Sequence, residues 1–103
     1  MPDTLELLIL QVLSGGGEMH GYGIAQQLRL LSDEVLQVGE SSLYPALQRL
    51  LVKGWVKAEW GTSDNNRRAR YYTLTASGRK HLALERRAFD HLILAIHKIL
   101  NTA

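Results

Sequence analysis

The stretch from Glu40 to Trp60 constrains the fold most, because it combines a two-faced helix, a glycine stop and a strand. Its apolar residues recur at helical spacing on one face, namely Leu43, Leu47, Leu50 and Leu51. We expect Ser41 or Ser42 to cap the first turn, with Pro45 in or beside that turn. Gly54 suits a helix end. The remaining surface carries side chains suited to phosphates and base edges, as a recognition helix requires: Ser42, Tyr44, Gln48, Arg49 and Lys53.

Two shorter helices are predicted before this stretch. The first is capped by Asp3 or Thr4 and runs to about Leu13, with apolar residues on two faces. A helix that is apolar on most sides is buried on most sides. We therefore expect a second subunit to cover the face that contains Leu7 and Leu10. The second helix begins around His20–Gly21 and runs to Leu31; its glycines favour close helix packing.

Two strands and a long helix are predicted after it. Trp55 to Trp60 and Ala69 to Leu74 flank the turn-forming segment GTSDNNRR. Three helices followed by a two-stranded hairpin are typical of a winged helix-turn-helix, a mainly α fold of the α+β class. The arginines near the hairpin tip, Arg67, Arg68 and Arg70, are suited to phosphate contact. Of Tyr71 and Tyr72, one is expected in the core and the other outside, because side chains alternate along a strand.

The last helix is predicted from Thr75 to about Leu100, a length of ~37 Å at 1.5 Å per residue. Such a helix extends beyond a small domain. Its apolar stripe has near-heptad spacing after Phe89 and needs a partner, for which a second copy of the chain is the simple choice. We divide the chain into a DNA-binding domain, residues 1–75, and a dimerisation helix, residues 76–103.

Composition excludes several classes of protein. The chain has 103 residues, 46% of them hydrophobic, and no cysteine, so disulfides and thiolate metal sites are excluded. No two of the four histidines are spaced i, i+4, which disfavours a metal site. No catalytic triad or phosphate loop is evident, so no enzyme and no cofactor is predicted. The apolar run near the start is too short to span a bilayer and lacks the flanks of a signal peptide, so a cytoplasmic location is expected.

Charge is unevenly distributed along the sequence. Residues 1–60 contain four Lys and Arg against seven Asp and Glu, a net charge of −3. Residues 61–103 contain eight against three, a net charge of +5. Binding to a polyanion depends on the local charge and not on the net charge of +2. The positive charge of residues 61–103 therefore indicates the hairpin and the last helix as the surface that would bind a polyanion.

Three motifs resemble the PadR family of bacterial transcriptional regulators: HGYGIAQQL at 20–28, SSLYPALQRLLVKGWV at 41–56 and RRARYYTLTASG at 67–78. The single helix after the hairpin resembles the subfamily with one C-terminal dimerisation helix. The resemblance implies a homodimeric repressor that binds double-stranded DNA at a palindromic operator and is released by a small hydrophobic or aromatic effector. Multidrug-sensing relatives stack ligands on a tryptophan in the last helix, whereas this chain has only Phe89 as an aromatic residue there.

These arguments predict three groups of residues. The DNA-binding group is Ser41, Ser42, Tyr44, Gln48, Arg49, Lys53, Arg67, Arg68, Arg70 and Tyr71. The dimerisation group is Leu7, Leu10, Phe89, Leu92, Ile93, Ile96 and Leu100. The effector group is Leu8, Gln11, Phe89 and Ile93. The alternative function is a protein-interaction adaptor that keeps the fold without binding DNA, and salt-dependent binding to duplex DNA would distinguish the two.

Overall fold

The computed structural model describes residues 3–102 and contains the elements in the predicted order. They are α1 (Thr4–Gly16), β1 (Met19–His20), α2 (Gly21–Leu31), α3 (Glu40–Val52), β2 (Val56–Thr62), β3 (Arg68–Leu74) and α4 (Ala76–Leu100). The strands form one antiparallel sheet in the order β1-β3-β2. The predicted winged helix-turn-helix of the α+β class is confirmed, and β1 is an addition that the sequence did not indicate.

Side-chain caps begin three of the four helices. Asp3 Oδ1 accepts from the Glu6 amide at 3.0 Å, and this backbone hydrogen bond lowers the pKa of Asp3. His20 Nδ1 accepts from the Gly23 amide at 2.9 Å, and Thr75 caps α4 in the same way. Each cap satisfies an amide that the first turn leaves without a helical partner.

The start of α3 differs from the prediction. The N-cap is Gly39, without a side-chain hydrogen bond, so the expected cap at Ser41 or Ser42 is wrong. Because α3 already begins at Glu40, both serines lie within its first turn. The carboxylate of Glu40 is stabilised there by the positive end of the helix dipole. Pro45 is therefore the sixth helical residue, one turn later than expected. The predicted end is confirmed, since Gly54 follows the helix with φ of 76°.

The core lies between the three N-terminal helices and the inner face of the sheet. Its largest fully buried side chains are aliphatic: Ile9, Leu10, Leu13, Ile24, Leu43, Leu47 and Leu50. Leu10 is only 1% exposed and Leu7 is also buried, so neither has much side-chain area left for a partner subunit. This chain's own elements cover that face of α1, so burial does not support the predicted place of these two residues in the dimer interface.

The two halves of α4 have different surroundings. Gly78 and Leu82 are buried, and Phe89 packs against the edge of the core. No α4 residue after Phe89 is buried within residues 3–102, and Ile99 and Leu100 are each 70% exposed. The described chain measures 57 × 29 × 22 Å, consistent with a helix that projects from a small body. None of the described helices is long and apolar enough to cross a membrane.

Candidate nucleic-acid interface

The outer face of α3 presents polar groups to solvent, as a recognition helix must. Ser41, Pro45 and Gln48 are exposed, and their spacings of four and three residues place them on one stripe opposite the buried leucines. Ser42 is also exposed but lies on the side of the helix that faces α1. Tyr44 is at the other edge of the stripe, where its ring packs closely over Gly21 at the start of α2. This contact requires glycine, because an added Cβ would lie 2.8 Å from the Tyr44 hydroxyl.

Arg49 and Lys53 do not lie among these outer residues. The Glu6 carboxylate, 5% exposed, accepts from Lys53 Nζ at 2.8 Å and from Arg49 Nε at 3.2 Å. Arg49 also lies 3.4 Å from Asp3, and Lys53 lies 4.8 Å from the Trp55 ring centroid. A buried carboxylate needs such partners. These ion pairs connect α3 to the start of α1, and the DNA contact by these two residues stays a prediction.

The hairpin of β2 and β3, called the wing here, presents a cationic and aromatic inner face. Trp60 pairs with Arg70 across the strands, and cross-strand partners share a face. The Trp60 ring lies beneath two guanidinium groups, 4.6 Å from Arg68 and 5.9 Å from Arg70. Arg67 is exposed at the tip, where the Ser63 amide donates to its carbonyl at 2.8 Å. All three predicted arginines are therefore exposed on the wing, and two of them share the face of Trp60.

The structure distinguishes the two adjacent tyrosines. Tyr72 lies on the inner face and is buried, and desolvation by burial raises its pKa. Tyr71 lies on the opposite face, where its ring covers Gly61 and its hydroxyl donates to the Thr62 carbonyl at 3.1 Å. Its ring also contacts His20, with 5.5 Å between centroids. These contacts stabilise the hairpin, so the predicted DNA contact by Tyr71 is not supported by its position.

An open cavity with a volume of about 700 Å³ lies between the wing and the helix-turn-helix, and we call it the wing groove. Tyr44, Arg67, Arg68 and Arg70 line it, so four predicted residues meet there. The sequence prediction omitted others that line it: His20, Tyr22, Gln26 and Trp60. The motif HGYG and the lone tryptophan of the hairpin were signals in the sequence, but only the fold places them beside α3.

The residues predicted for dimerisation and effector binding lie away from the wing groove. Leu8, Phe89, Leu92 and Ile93 are half-buried, whereas Gln11, Ile96 and Leu100 are exposed. The predicted effector residues do not line the wing groove. Within residues 3–102, no three metal-ligating side chains converge on a common point.

Comparison with known proteins agrees with this geometry. The sequence model of the Transcriptional regulator PadR-like family matches residues 9–84, most of the chain. The chain belongs to the PadR-like family. Members of this family are transcriptional regulators and not enzymes, which confirms both the resemblance seen in the sequence and the prediction that the chain is not an enzyme.

Solved structures share the fold over nearly the whole chain. A transcriptional regulator from Clostridium thermocellum is 29% identical with a TM-score of 0.82, covering 91% of this chain and 87% of that one. The protein smu.1704 from Streptococcus mutans is 32% identical with a TM-score of 0.79, covering 93% and 85%. A PadR family regulator from Clostridium difficile is 25% identical with a TM-score of 0.80, covering 96% and 100%.

A curated sequence relative gives a shorter match. It is an uncharacterized protein from Lysinibacillus sphaericus, 29% identical over 66 residues. The match covers 64% of this chain and 61% of that protein.

Proposed function

We propose that this PadR-like chain is a homodimeric repressor that binds a palindromic DNA operator. The observation that carries the proposal is the wing groove, where Tyr44, at the edge of the exposed polar stripe of α3, lies opposite the wing arginines. Ser41, Tyr44 and Gln48 would contact base edges or phosphates in the major groove, and Arg67, Arg68 and Arg70 would bind the flanking backbone. Its place of action would be the cytoplasm, where operator DNA lies.

The exposed half of α4 supports the homodimer. Its apolar residues continue the stripe that packs on α1 in the first half of the helix, and they leave Ile96, Ile99 and Leu100 in solvent. A contiguous exposed apolar surface of this kind marks an interaction site. A second copy of α4 has the same stripe, so a two-fold pairing would cover both. The two recognition helices would then read half-sites about one helical turn, ~34 Å, apart.

Salt-dependent binding tests the proposal. We expect fluorescence anisotropy to show tight binding to a palindrome from upstream of the gene and weaker binding to random duplex. Affinity for both should fall steeply with salt, because each neutralised phosphate contributes about 0.9 to the logarithmic salt slope. An absence of binding to either duplex at low salt would leave the adaptor function as the better interpretation.

The wing arginines should supply part of that slope. We expect Arg67→Ala with Arg68→Ala to weaken binding to operator and to random duplex alike, and to reduce the slope by about 1 to 2. Arg86→Ala with Arg87→Ala is the matched control, since it removes the same charge from exposed positions on α4. An unchanged slope in the wing variant, or an equal loss in the control, would contradict a phosphate contact by the wing.

We further propose that a planar hydrophobic effector acts between the protomers and not in the wing groove. Leu8, Phe89 and Ile93 are half-buried and Gln11 is exposed, and α1 packs against α4 in this chain. An effector there would change the spacing of the recognition helices if it binds the DNA-incompetent arrangement better. With a panel of planar aromatic acids, we expect NMR shift changes at these four residues. Changes confined to residues 41–53 would contradict this location.

A further inference from the structure

The side chain of Trp60 is largely exposed to solvent. It is 60% exposed, although tryptophan is the side chain with the most apolar surface to bury. Its neighbours toward the core on the same face of the wing, Ala58 and Tyr72, are buried or half-buried, so the core ends one residue pair before Trp60. The ring is therefore presented to the wing groove, where it lines the wall opposite α3.

We propose that Trp60 is a DNA-contacting residue whose indole packs against deoxyribose at the flank of the operator. The proposal rests on the proposed DNA binding and adds to it an apolar contact that the arginines cannot supply. A duplex seated on α3 would bring its backbone along the inner face of the wing, and sugar edges are the apolar part of that backbone. Because every nucleotide carries the same sugar, this contact adds affinity without sequence preference.

Two arginines of the wing lie close to the Trp60 ring. Their guanidinium groups lie 4.6 and 5.9 Å from the ring centroid, within the range of a cation–π interaction. A guanidinium that stacks by its face keeps its in-plane N–H groups free for phosphate. The contact with Trp60 therefore leaves the N–H groups of Arg68 and Arg70 available for phosphate, and it leaves the exposed part of the ring available for the sugar.

The opposite wall of the wing groove is also aromatic. Tyr44 of α3 and Tyr22 of α2 are exposed and line it, and His20 lies beside Tyr22 with 6.3 Å between ring centroids. A backbone strand entering the groove would meet flat apolar surfaces on one side and cations on the other. This combination of aromatic rings and cations suits nucleic acid.

The test compares Trp60→Ala and Trp60→Phe with the wild type. We expect Trp60→Ala to lose about tenfold in affinity for operator and for random duplex, while the salt slope stays within about 0.5 of the wild type, because no charge is removed. Trp60→Phe should recover affinity to within about threefold, since the ring contact is retained. Unchanged thermal unfolding would show that the wing is intact.

Fluorescence gives an independent measurement, because the chain has only two tryptophans. In a Trp55→Phe variant, the emission of Trp60 should change in intensity and wavelength on saturation with duplex. In Trp60→Phe the remaining tryptophan is Trp55, which lies outside the wing groove and stacks on His81 with 3.5 Å between ring centroids. Its emission should not change when duplex is added.

Each outcome decides the proposal. An unchanged affinity of Trp60→Ala, or a Trp60 emission that is indifferent to saturating duplex, would overturn the contact while leaving DNA binding in place. A drop of the salt slope by 1 to 2 in Trp60→Ala would also overturn it, because Trp60 would then act only by positioning Arg68 and Arg70. A wild type that binds no duplex would overturn the proposed function and this contact together.

Discussion

Replacing Ile93 and Ile96 together by aspartate is expected to convert the proposed homodimer into a folded monomer. Both residues lie on the apolar stripe of α4, and Ile96 is 37% exposed in the single chain. Because Ile93 is half-buried and Ile96 is only 37% exposed, the substitution also removes part of their packing within one protomer, which circular dichroism of the variant checks. In the dimer it would bury four carboxylates without partners, and each such burial costs several kcal/mol. A penalty of that size changes the dissociation constant by many powers of ten, at about 1.4 kcal/mol for each.

The position of Leu94 provides a matched control. Leu94 is exposed and lies two residues before Ile96, which turns it about 200° around the helix, to the side opposite the stripe. Leu94→Asp should sediment as a dimer, and the double variant should sediment as a monomer with the same circular dichroism. A double variant that remained a dimer at micromolar concentration would place the interface elsewhere.

Loss of the dimer should also reduce operator binding. A dimer binds its second half-site at a high effective concentration, and this advantage amounts to about 100-fold or more in affinity. The monomer should retain the weak affinity of one half-site, with the wing arginines still contributing to the salt slope. A monomer that bound the whole palindrome as tightly as the wild type would contradict the proposal that the two protomers of a dimer bind the two half-sites.

The sequence predicts the elements well because their periodicity is local. The leucines of α3 repeat at helical spacing, and Gly54 and Thr75 mark an end and a start by chemistry that involves only their near neighbours. The structure places all these boundaries within a few residues of the prediction. The cap of α3 was misassigned because serine has a high capping preference, whereas the chain turns into the helix two residues earlier, at Gly39.

The parts of the candidate site that the structure does not support depend on long-range contacts. Nothing local in the sequence shows that Glu6 will meet Arg49, which is 43 residues away, so an arginine on the predicted recognition helix was assigned to DNA. Leu10 was likewise assigned to a partner, because periodicity identifies an apolar face without identifying what covers it. The sequence alone does not predict Trp60 as part of the candidate site, because the register of β2 with β3 determines which face of the wing its side chain occupies.

The second large effect is expected at Gly78, where α4 meets the turn that follows α3. An added Cβ would lie 2.0 Å from the carbonyl oxygen of Trp55 and 2.8 Å from Leu74 Cδ1. The Trp55 oxygen is fixed in place, since it accepts from the Thr75 amide at 3.1 Å. The close approach therefore cannot be relieved by a side-chain rotation, and the backbone of α4 has to move.

Gly78→Ala is thus expected to destabilise the chain by about 3 kcal/mol, at the upper end of the range for overpacked sites. An exposed helical glycine gives the opposite result, because alanine favours helix by about 1 kcal/mol. Gly15→Ala is the control, since its added Cβ would meet no atom within 4 Å in α1. Urea unfolding of both variants measures the two effects. A Gly78→Ala protein as stable as the wild type would show that α4 tolerates displacement at this junction. If the variant folds, a tilt of α4 against α3 would change the spacing of the recognition helices, so its affinity for the palindrome should fall more than its affinity for random duplex.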